Sequence, residues 1–415
     1  MTIWSSPEFD DHEHVSFFSD PKTGLRVIVS IHSSVLGPAV GGTRFKAYEN
    51  DQLAVDDALR LSRAMSYKSA LAGMPVGGGK AVIIGNPSET KTRELLHAYG
   101  RFLNRLGDQF TTGEDVGILG EDVATINEVC PHVGGISSEG AGDPSVHTAD
   151  GVMYGLQAVL EHRMQRSSFD SVHIAVEGLG AVGWGVAKRL HAAGAKLTVS
   201  DIRADVAARA ALEFDAKFAP VGEIHAADVD IYAPCALGGV ITENTASEIR
   251  ACAVAGAANN QLASKEAGDA LRARDITYAP DYVMNAGGVI SALEETCKIK
   301  NINQHAVPPL SQRLAGIYSR LLEILEEARR KGVGPEVVAE HKAREILGKA
   351  VEPGQRQKDV IQANKRIGSR SDDENQNSKT HHRHLGSPAS PYGHNWRRIL
   401  RDRWPSASAG SRPGA

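Results

Sequence analysis

The stretch VHIAVEGLGAVGWGVAKRL (Val172–Leu190) limits the possible folds more than any other part of this chain. An apolar run ends in glycines at Gly178, Gly180 and Gly183, and a helical pattern follows at once. A G-x-G-x-x-G spacing says little alone, but between a strand and a helix it has a mechanism. Gly178 permits the tight turn, Gly180 lets the backbone approach a pyrophosphate, and Gly183 lets the helix pack closely on the strand. Leu179, Ala181 and Val182 complete the turn. The helix N-terminus behind it offers free N–H groups and partial positive charge to phosphates. The following strand, KLTVS, ends at Asp201, 18 residues beyond Gly183. A carboxylate there would accept hydrogen bonds from the adenine ribose hydroxyls and repel a 2′-phosphate, which favours NAD over NADP. Arg203 works slightly against that preference. A glycine-rich turn that binds nothing is the bland alternative, and the strand and helix around it argue for a dinucleotide site.

Strand and helix patterns alternate from about residue 146 to 300, as a parallel sheet with crossover helices requires. DIYAPCA, CAVAGAA and ITYAPDYV read as further strands, and Gln312–Gly332 as an amphipathic helix ended by glycine. Earlier, Leu25–Ser33 and KAVIIG read as strands, while Asp51–Leu71 and Thr92–Gly107 carry helical spacing. The fold class is therefore α/β. Four zones follow: 1–145, 146–310, 311–352 and 353–415.

The last zone changes character. Pro353–Ala415 is rich in Ser, Gly, Pro, Asn, Gln and Arg, lacks period, and reads as a disordered tail. It holds 12 Lys and Arg against 5 Asp and Glu, so the rest of the chain carries about −11 of the net −4. The abrupt change also fits an extended or shifted end of the reading frame. A nucleic-acid role for the tail would rest on this modest charge alone. No apolar run approaches the roughly 18 residues of a membrane span. The acidic start, MTIWSSPEFDDHEH, lacks the order of a signal peptide. Cys130, Cys235, Cys252 and Cys297 form no CxxC pair, which argues against a disulfide framework or a zinc site. No metal, no membrane and a cytoplasmic setting are expected.

A dinucleotide site does not name a reaction. In GMPVGGGKAVIIG (Gly73–Gly85), three glycines precede a single lysine, Lys80, at the mouth of an apolar strand. Lys68 lies 12 residues earlier, near the end of the long helix. A lysine is a poor base at neutral pH, and burial beside a second cation favours its neutral amine. One lysine of such a pair can hold a substrate carboxylate while the other passes protons. Asp115, in TTGEDVGILGED, could reach the same cleft and stabilise an amine or transfer a proton. Taken singly, each of these residues could equally be a surface lysine or a capping aspartate.

The chain resembles the Glu/Leu/Phe/Val amino-acid dehydrogenases, specifically the leucine and phenylalanine dehydrogenase branch. LGPAVGGTR, AMSYKSALAGMPVGGGKAVIIG, TGEDVG, HTADGV, EGLGAVG, DIYAPCALGGVI, VAGAANNQL and YAPDYVMNAGGVI carry the likeness, in that order, over about residues 15–345. The resemblance implies reversible oxidative deamination of an L-amino acid to a 2-oxo acid and ammonium. It implies an N-terminal α/β substrate domain, a Rossmann domain, an active-site cleft between them, and assembly into a homo-oligomer through the first domain. On it, Lys80 is the general base, Lys68 binds the substrate carboxylate and Asp115 assists proton transfer. Gly41 and Gly42 line the substrate approach, and Asn260 contacts substrate or the nicotinamide ribose. Thr148 holds the nicotinamide carboxamide, while Ala236, Leu237, Asn259 and Asn285 lie along the cofactor.

The sequence departs from the glutamate-specific pattern, which has GGAKGG where this chain has GGGKAV. Val40, Met65, Gly113 and Val289 would give an apolar pocket, suited to leucine, valine or isoleucine. Gly113 leans instead towards phenylalanine. The alternative of another class is a non-catalytic NAD-binding regulatory protein, against which the intact Lys68, Lys80 and Asp115 speak.

Overall fold

The computed structural model describes residues 3–134, 143–292 and 308–349; the expected tail and Cys297 lie outside the described residues. Two sheets organise the chain. In the first, β1 (His14–Asp20) and β2 (Leu25–Ser33) form an antiparallel pair, and β5 (Gly77–Ile84) runs antiparallel on the other side of β2. The short strands β3 (Ala39–Val40), β4 (Thr43–Lys46) and β6 (Phe110–Thr111) join in parallel, β3 and β4 beside β5 and β6 beside β3.

Successive side chains of a strand point to opposite faces, so a strand covered on both sides reads as a continuous apolar run. Ile28 and Val82 pack under the helix Asp51–Leu71 with Ala54, Val55, Ala58 and Leu59. Val27, Val29, Ala81 and Ile83 pack on the other face against Leu95, Leu96, Tyr99 and Leu103 of the helix Arg93–Leu106. Each fully buried aliphatic side chain of this kind contributes about 1.5–3 kcal/mol. Asn50 and Thr92 cap the two helices by accepting from the N–H groups of Leu53 and Leu95.

The second sheet is wholly parallel, with strands in the order β12-β11-β10-β7-β8-β9. These are β7 (His173–Glu177), β8 (Lys196–Ser200), β9 (Lys217–Phe218), β10 (Ile231–Pro234), β11 (Ala253–Val254) and β12 (Thr277–Tyr278). This is the doubly wound dinucleotide-binding order, whose direction reverses between β7 and β10. Two expected strands are shorter than their apolar runs. CAVAGAA leaves the ladder after Val254, and a Cβ on Gly256 would fall 2.2 Å from the Pro234 carbonyl oxygen. ITYAPDYV leaves it after Tyr278, where Pro280 starts the short helix Asp281–Met284.

The helix Leu310–Lys331, closed by Gly332 at φ 68°, packs beside the helix Pro144–Met164. The helix Pro335–Lys349 returns to the first domain, where Arg344 pairs with Asp10 at 3.0 Å. Ala72, Met74 and Val76 from the first domain share a core with Ala286, Ile290, Leu314 and Ile317. The two sheets are thus joined by a shared core.

Candidate active site

The glycine run does not precede β5; it is the start of β5, with Lys80 inside the strand opposite Ser30. These glycines permit close backbone packing. A Cβ on Gly78 would fall 2.0 Å from the Ser66 backbone nitrogen, and one on Gly41 only 1.8 Å from the Gly79 carbonyl oxygen. Their absence lets the helix Asp51–Leu71 press directly on the strand. Lys68, two residues beyond Ser66, then reaches the same buried site as Lys80, two residues beyond Gly78. Both lysines are almost wholly buried, at 9% and 6% exposure.

Lys80 Nζ lies 3.1 Å from Asp115 Oδ2. Arg44 Nε donates to the same oxygen at 3.0 Å, and Arg44 Nη1 donates to Asp57 Oδ2 at 2.9 Å. The Tyr48 hydroxyl (2.7 Å) and Arg60 (2.6 Å) also donate to Asp57. Burial lowers the Lys80 pKa; Asp115 opposes that, and Arg44 reinforces it. For Asp115 burial acts upward, but Lys80 and Arg44 outweigh it and hold the carboxyl below its ordinary range.

Lys68 donates across the cleft to Asn259 Oδ1 at 3.5 Å. Asn285 Nδ2 donates to that oxygen at 2.7 Å and to the Ala257 carbonyl at 3.0 Å. Asn260 sits in the left-handed region at φ 51°, with its N–H donating to Asp281 Oδ2 at 2.7 Å. The Tyr278 hydroxyl donates to Asp281 Oδ1 at 3.0 Å. Burial pushes the Lys68 pKa down to about 8, Asp281 works against that, and Lys80 pushes it further down. Burial raises the Asp281 carboxyl, against the Asn260 N–H and Lys68. Lys68, whose charge Lys80 also feels, therefore meets an asparagine pair and a buried carboxylate from the second domain.

At the switch point, Gly178 has φ 87°, and a Cβ there would fall 2.5 Å from that of Ala236. Among the described residues a Cβ on Gly180 would meet nothing within 4 Å, and no side chain caps the helix Ala181–Ala192 behind it. Gly183 packs on the Gly178 carbonyl. Ala236 and Leu237 are exposed beside this turn. Among the described residues, Asn285 Oδ1 is buried without a hydrogen-bond partner. A bare helix N-terminus, a cradle only glycine permits and an orphan buried acceptor all fit a dinucleotide. Asp201 accepts from the Leu179 N–H at 2.7 Å and from Arg203 Nε at 3.0 Å. Its pKa falls to about 2, mainly through the Arg203 side chain.

Met65 is half-buried near Gly41, and Gly42 lets the Asp115 loop approach β4, since a Cβ there would meet the Glu114 carbonyl oxygen at 2.2 Å. Val40 and Val289 are half-buried against the core shared by the two domains. Among the described residues Gly113 faces only the backbone of Gly134, whose carbonyl oxygen would lie 3.2 Å from an added Cβ. The Thr148 hydroxyl donates within its own helix to the Pro144 carbonyl at 2.8 Å. Sequence reading overlooked Arg44, Asp57 and Asp281. Arg44 and Asp281 lie inside the quoted stretches LGPAVGGTR and YAPDYVMNAGGVI, but their partners are distant in sequence.

A doubly wound sheet joined to a second α/β domain, with two buried lysines and an aspartate between them, is the architecture of a nucleotide-dependent oxidoreductase. Residues 12–133 match the family model "Glu/Leu/Phe/Val dehydrogenase, dimerisation domain", and residues 203–343 match "Glutamate/Leucine/Phenylalanine/Valine dehydrogenase". A leucine dehydrogenase of Bacillus subtilis is 40% identical over 349 residues, 84% of this chain and 94% of the relative. An L-tryptophan dehydrogenase of Nostoc punctiforme is 43% identical over 334 residues, 80% of this chain and 92% of the relative. The crystal structure of L-tryptophan dehydrogenase from Nostoc punctiforme superposes with a TM-score of 0.70 at 39% identity, over 82% of this chain and 96% of that one. The chain belongs to the Glu/Leu/Phe/Val dehydrogenase family and is an oxidoreductase acting on amino acids.

Proposed function

We propose that this protein catalyses the reversible, NAD-dependent oxidative deamination of an apolar L-amino acid, leucine, valine or isoleucine, to its 2-oxo acid with release of ammonium. The observation that carries the reading is the buried Lys80–Asp115 pair at 3.1 Å, with Lys68 at the same site. The bound nicotinamide cofactor would supply the hydride acceptor for the substrate Cα. Gly178, Leu179, Gly180, Ala181, Val182 and Gly183 would hold its pyrophosphate, and Asp201 its adenine ribose. Asp201 supports NAD over NADP, since a 2′-phosphate would meet its charge.

Lys68 binds the substrate carboxylate, and that bound anion returns its depressed pKa towards the ammonium form. Asp115 takes a proton from the substrate amino group and gives it back to the departing ammonia. Lys80, as the neutral amine that burial and Arg44 favour, takes a proton from the water that adds to the imine carbon. Asn260, fixed by Asp281, faces substrate or the nicotinamide ribose, and Asn259 and Asn285 lie along the cofactor with Thr148, Ala236 and Leu237. Gly41, Gly42, Met65, Gly113 and Val289 form the substrate side. Closure of the cleft excludes water from all of these groups.

Phenylalanine is the second substrate reading, and it rests on the missing side chain at Gly113. A homo-oligomer is supported by the family model's description of residues 12–133 as a dimerisation domain. The free thiols of Cys235 and Cys252 support a cytoplasmic setting. Among the described residues no helix is long and apolar enough to cross a membrane.

The test follows NADH formation at 340 nm with NAD and each of leucine, valine, isoleucine, phenylalanine and glutamate, for wild type and Lys80→Ala. The expected result is turnover of an aliphatic substrate, lost by several orders of magnitude in the variant. A folded protein that binds NADH yet turns over none of them would return the non-catalytic reading to first place.

A further inference from the structure

We infer that Arg44 is a positioning residue for this chemistry: its guanidinium, anchored on Asp57, fixes the Asp115 carboxylate beside Lys80 and sets the charge that Lys80 experiences. The inference rests on the roles proposed above for Lys80 and Asp115.

The geometry is a relay of charges from three elements. Arg44 rises from β4, Asp57 from the helix Asp51–Leu71, and Asp115 from the loop after β6. Arg44 uses separate nitrogens for the two carboxylates, Nε at 3.0 Å and Nη1 at 2.9 Å, a fork that a lysine cannot reproduce. Asp57 is held in turn by Tyr48 and Arg60, so Arg44 is tied to a fixed point and not to a mobile surface group. On Asp115 both cations share Oδ2, while Oδ1 takes part in neither contact. One carboxylate oxygen is thus pinned, which orients the other.

The charge argument has a definite sign. The groups facing Lys80 are Arg44 from β4, Asp57 and Lys68 from the long helix, Asp115 from its loop, and, through Lys68, Asp281 from the helix Asp281–Met284. Glu114 points away towards Gly120. With Arg44 present, the negative charge of Asp115 is divided between two cations. Without it, that charge acts on Lys80 alone and one repelling cation is gone. Both changes favour the ammonium form of Lys80, which cannot act as a base. Neutralising Asp57 does the reverse, since it removes an anion and leaves Arg44 in place.

The experiment is the pH profile of kcat/KM for wild type, Arg44→Met, Arg44→Lys and Asp57→Asn, with Lys80→Ala alongside. Arg44→Met is expected to move the acid limb upward by on the order of one pH unit, with kcat down about tenfold or more. Arg44→Lys keeps the charge and restores the limb, but not the full kcat, because it loses one arm of the fork. Asp57→Asn moves the limb to lower pH. A merely structural ion pair would lower the melting temperature of each variant and leave the limb in place. If Arg44→Met does not fold, the lowered kcat at an unmoved limb in Arg44→Lys and the downward displacement in Asp57→Asn still decide. An inactive Lys80→Ala with unmoved limbs in the other variants overturns this inference alone; an active Lys80→Ala overturns the roles it rests on, and this inference with them.

Discussion

Gly78→Ala adds one methyl group where the helix Asp51–Leu71 touches β5. The new Cβ would fall 2.0 Å from the Ser66 nitrogen, 2.4 Å from its Oγ and 2.5 Å from its Cα. Two of these three atoms are backbone, so no rotamer change relieves the clash. Ordinary contact needs more than an ångström of further separation, and helix and strand must move apart. Overpacking of a tight core costs about 1–3 kcal/mol, and a backbone obstacle puts this case at the upper end. At about 2–4 °C per kcal/mol for a domain of this size, the melting temperature falls by roughly 5–10 °C. The same displacement separates Lys68 from Lys80. A misplacement of about 1 Å at a reacting group can cost about 100-fold, so kcat/KM falls far more than stability implies. Gly316→Ala is the control. It lies in the interior of the helix Leu310–Lys331, and an added Cβ there meets nothing within 4 Å among the described residues. Helix propensity then gives a gain of about 0.5–1 kcal/mol, and the melting temperature rises. Calorimetry and initial rates on the two variants test the pair. A Gly78→Ala protein with the melting temperature and kcat/KM of wild type would refute the close-packing account of the glycine run.

Two further substitutions address charge. Lys68 has a folded pKa of about 8, below its unfolded value, so its burial costs stability while the amine is charged and the cost fades as pH rises from about 8 towards 10.5. Lys68→Met should therefore raise stability at pH 7 by on the order of 2 kcal/mol, lose that gain progressively between about pH 8 and pH 10.5, and abolish turnover; denaturant titrations at pH 7 and pH 10 check it, and equal stability of the two proteins at pH 7 would be the wrong answer. Asp201→Ala removes the acceptor for the Leu179 N–H and frees Arg203. The ratio of kcat/KM for NADP to that for NAD should rise by about tenfold or more, and an unchanged ratio would remove Asp201 from cofactor choice.

Much of the fold is legible in the chain because its signals are local. The long helices end where their caps stand, at Asn50, Thr92 and Gly332, and the turn at Gly178 has the strand and helix that its spacing demands. The short strands β11 and β12 were overestimated because apolar runs such as CAVAGAA and ITYAPDYV also serve buried turns, and ladder length depends on the neighbouring strand. For the site, Lys68, Lys80 and Asp115 could be named from residue type and motif. Arg44 and Asp57 could not, because a solvated surface pair and a buried anchored one have the same letters.

The sequence by itself determined the residue types, the period-2 and helical patterns, the glycine turn and the family. These depend on contacts between near neighbours and on backbone freedom written into single residues. Only the tertiary structure decided that Gly78 admits Ser66, that Lys68 crosses to Asn259 from 191 positions away, and that Arg44 joins Asp57 to Asp115 beside Lys80. Electrostatics acts through space and through burial, and neither distance in space nor exclusion of water can be read from order along a chain.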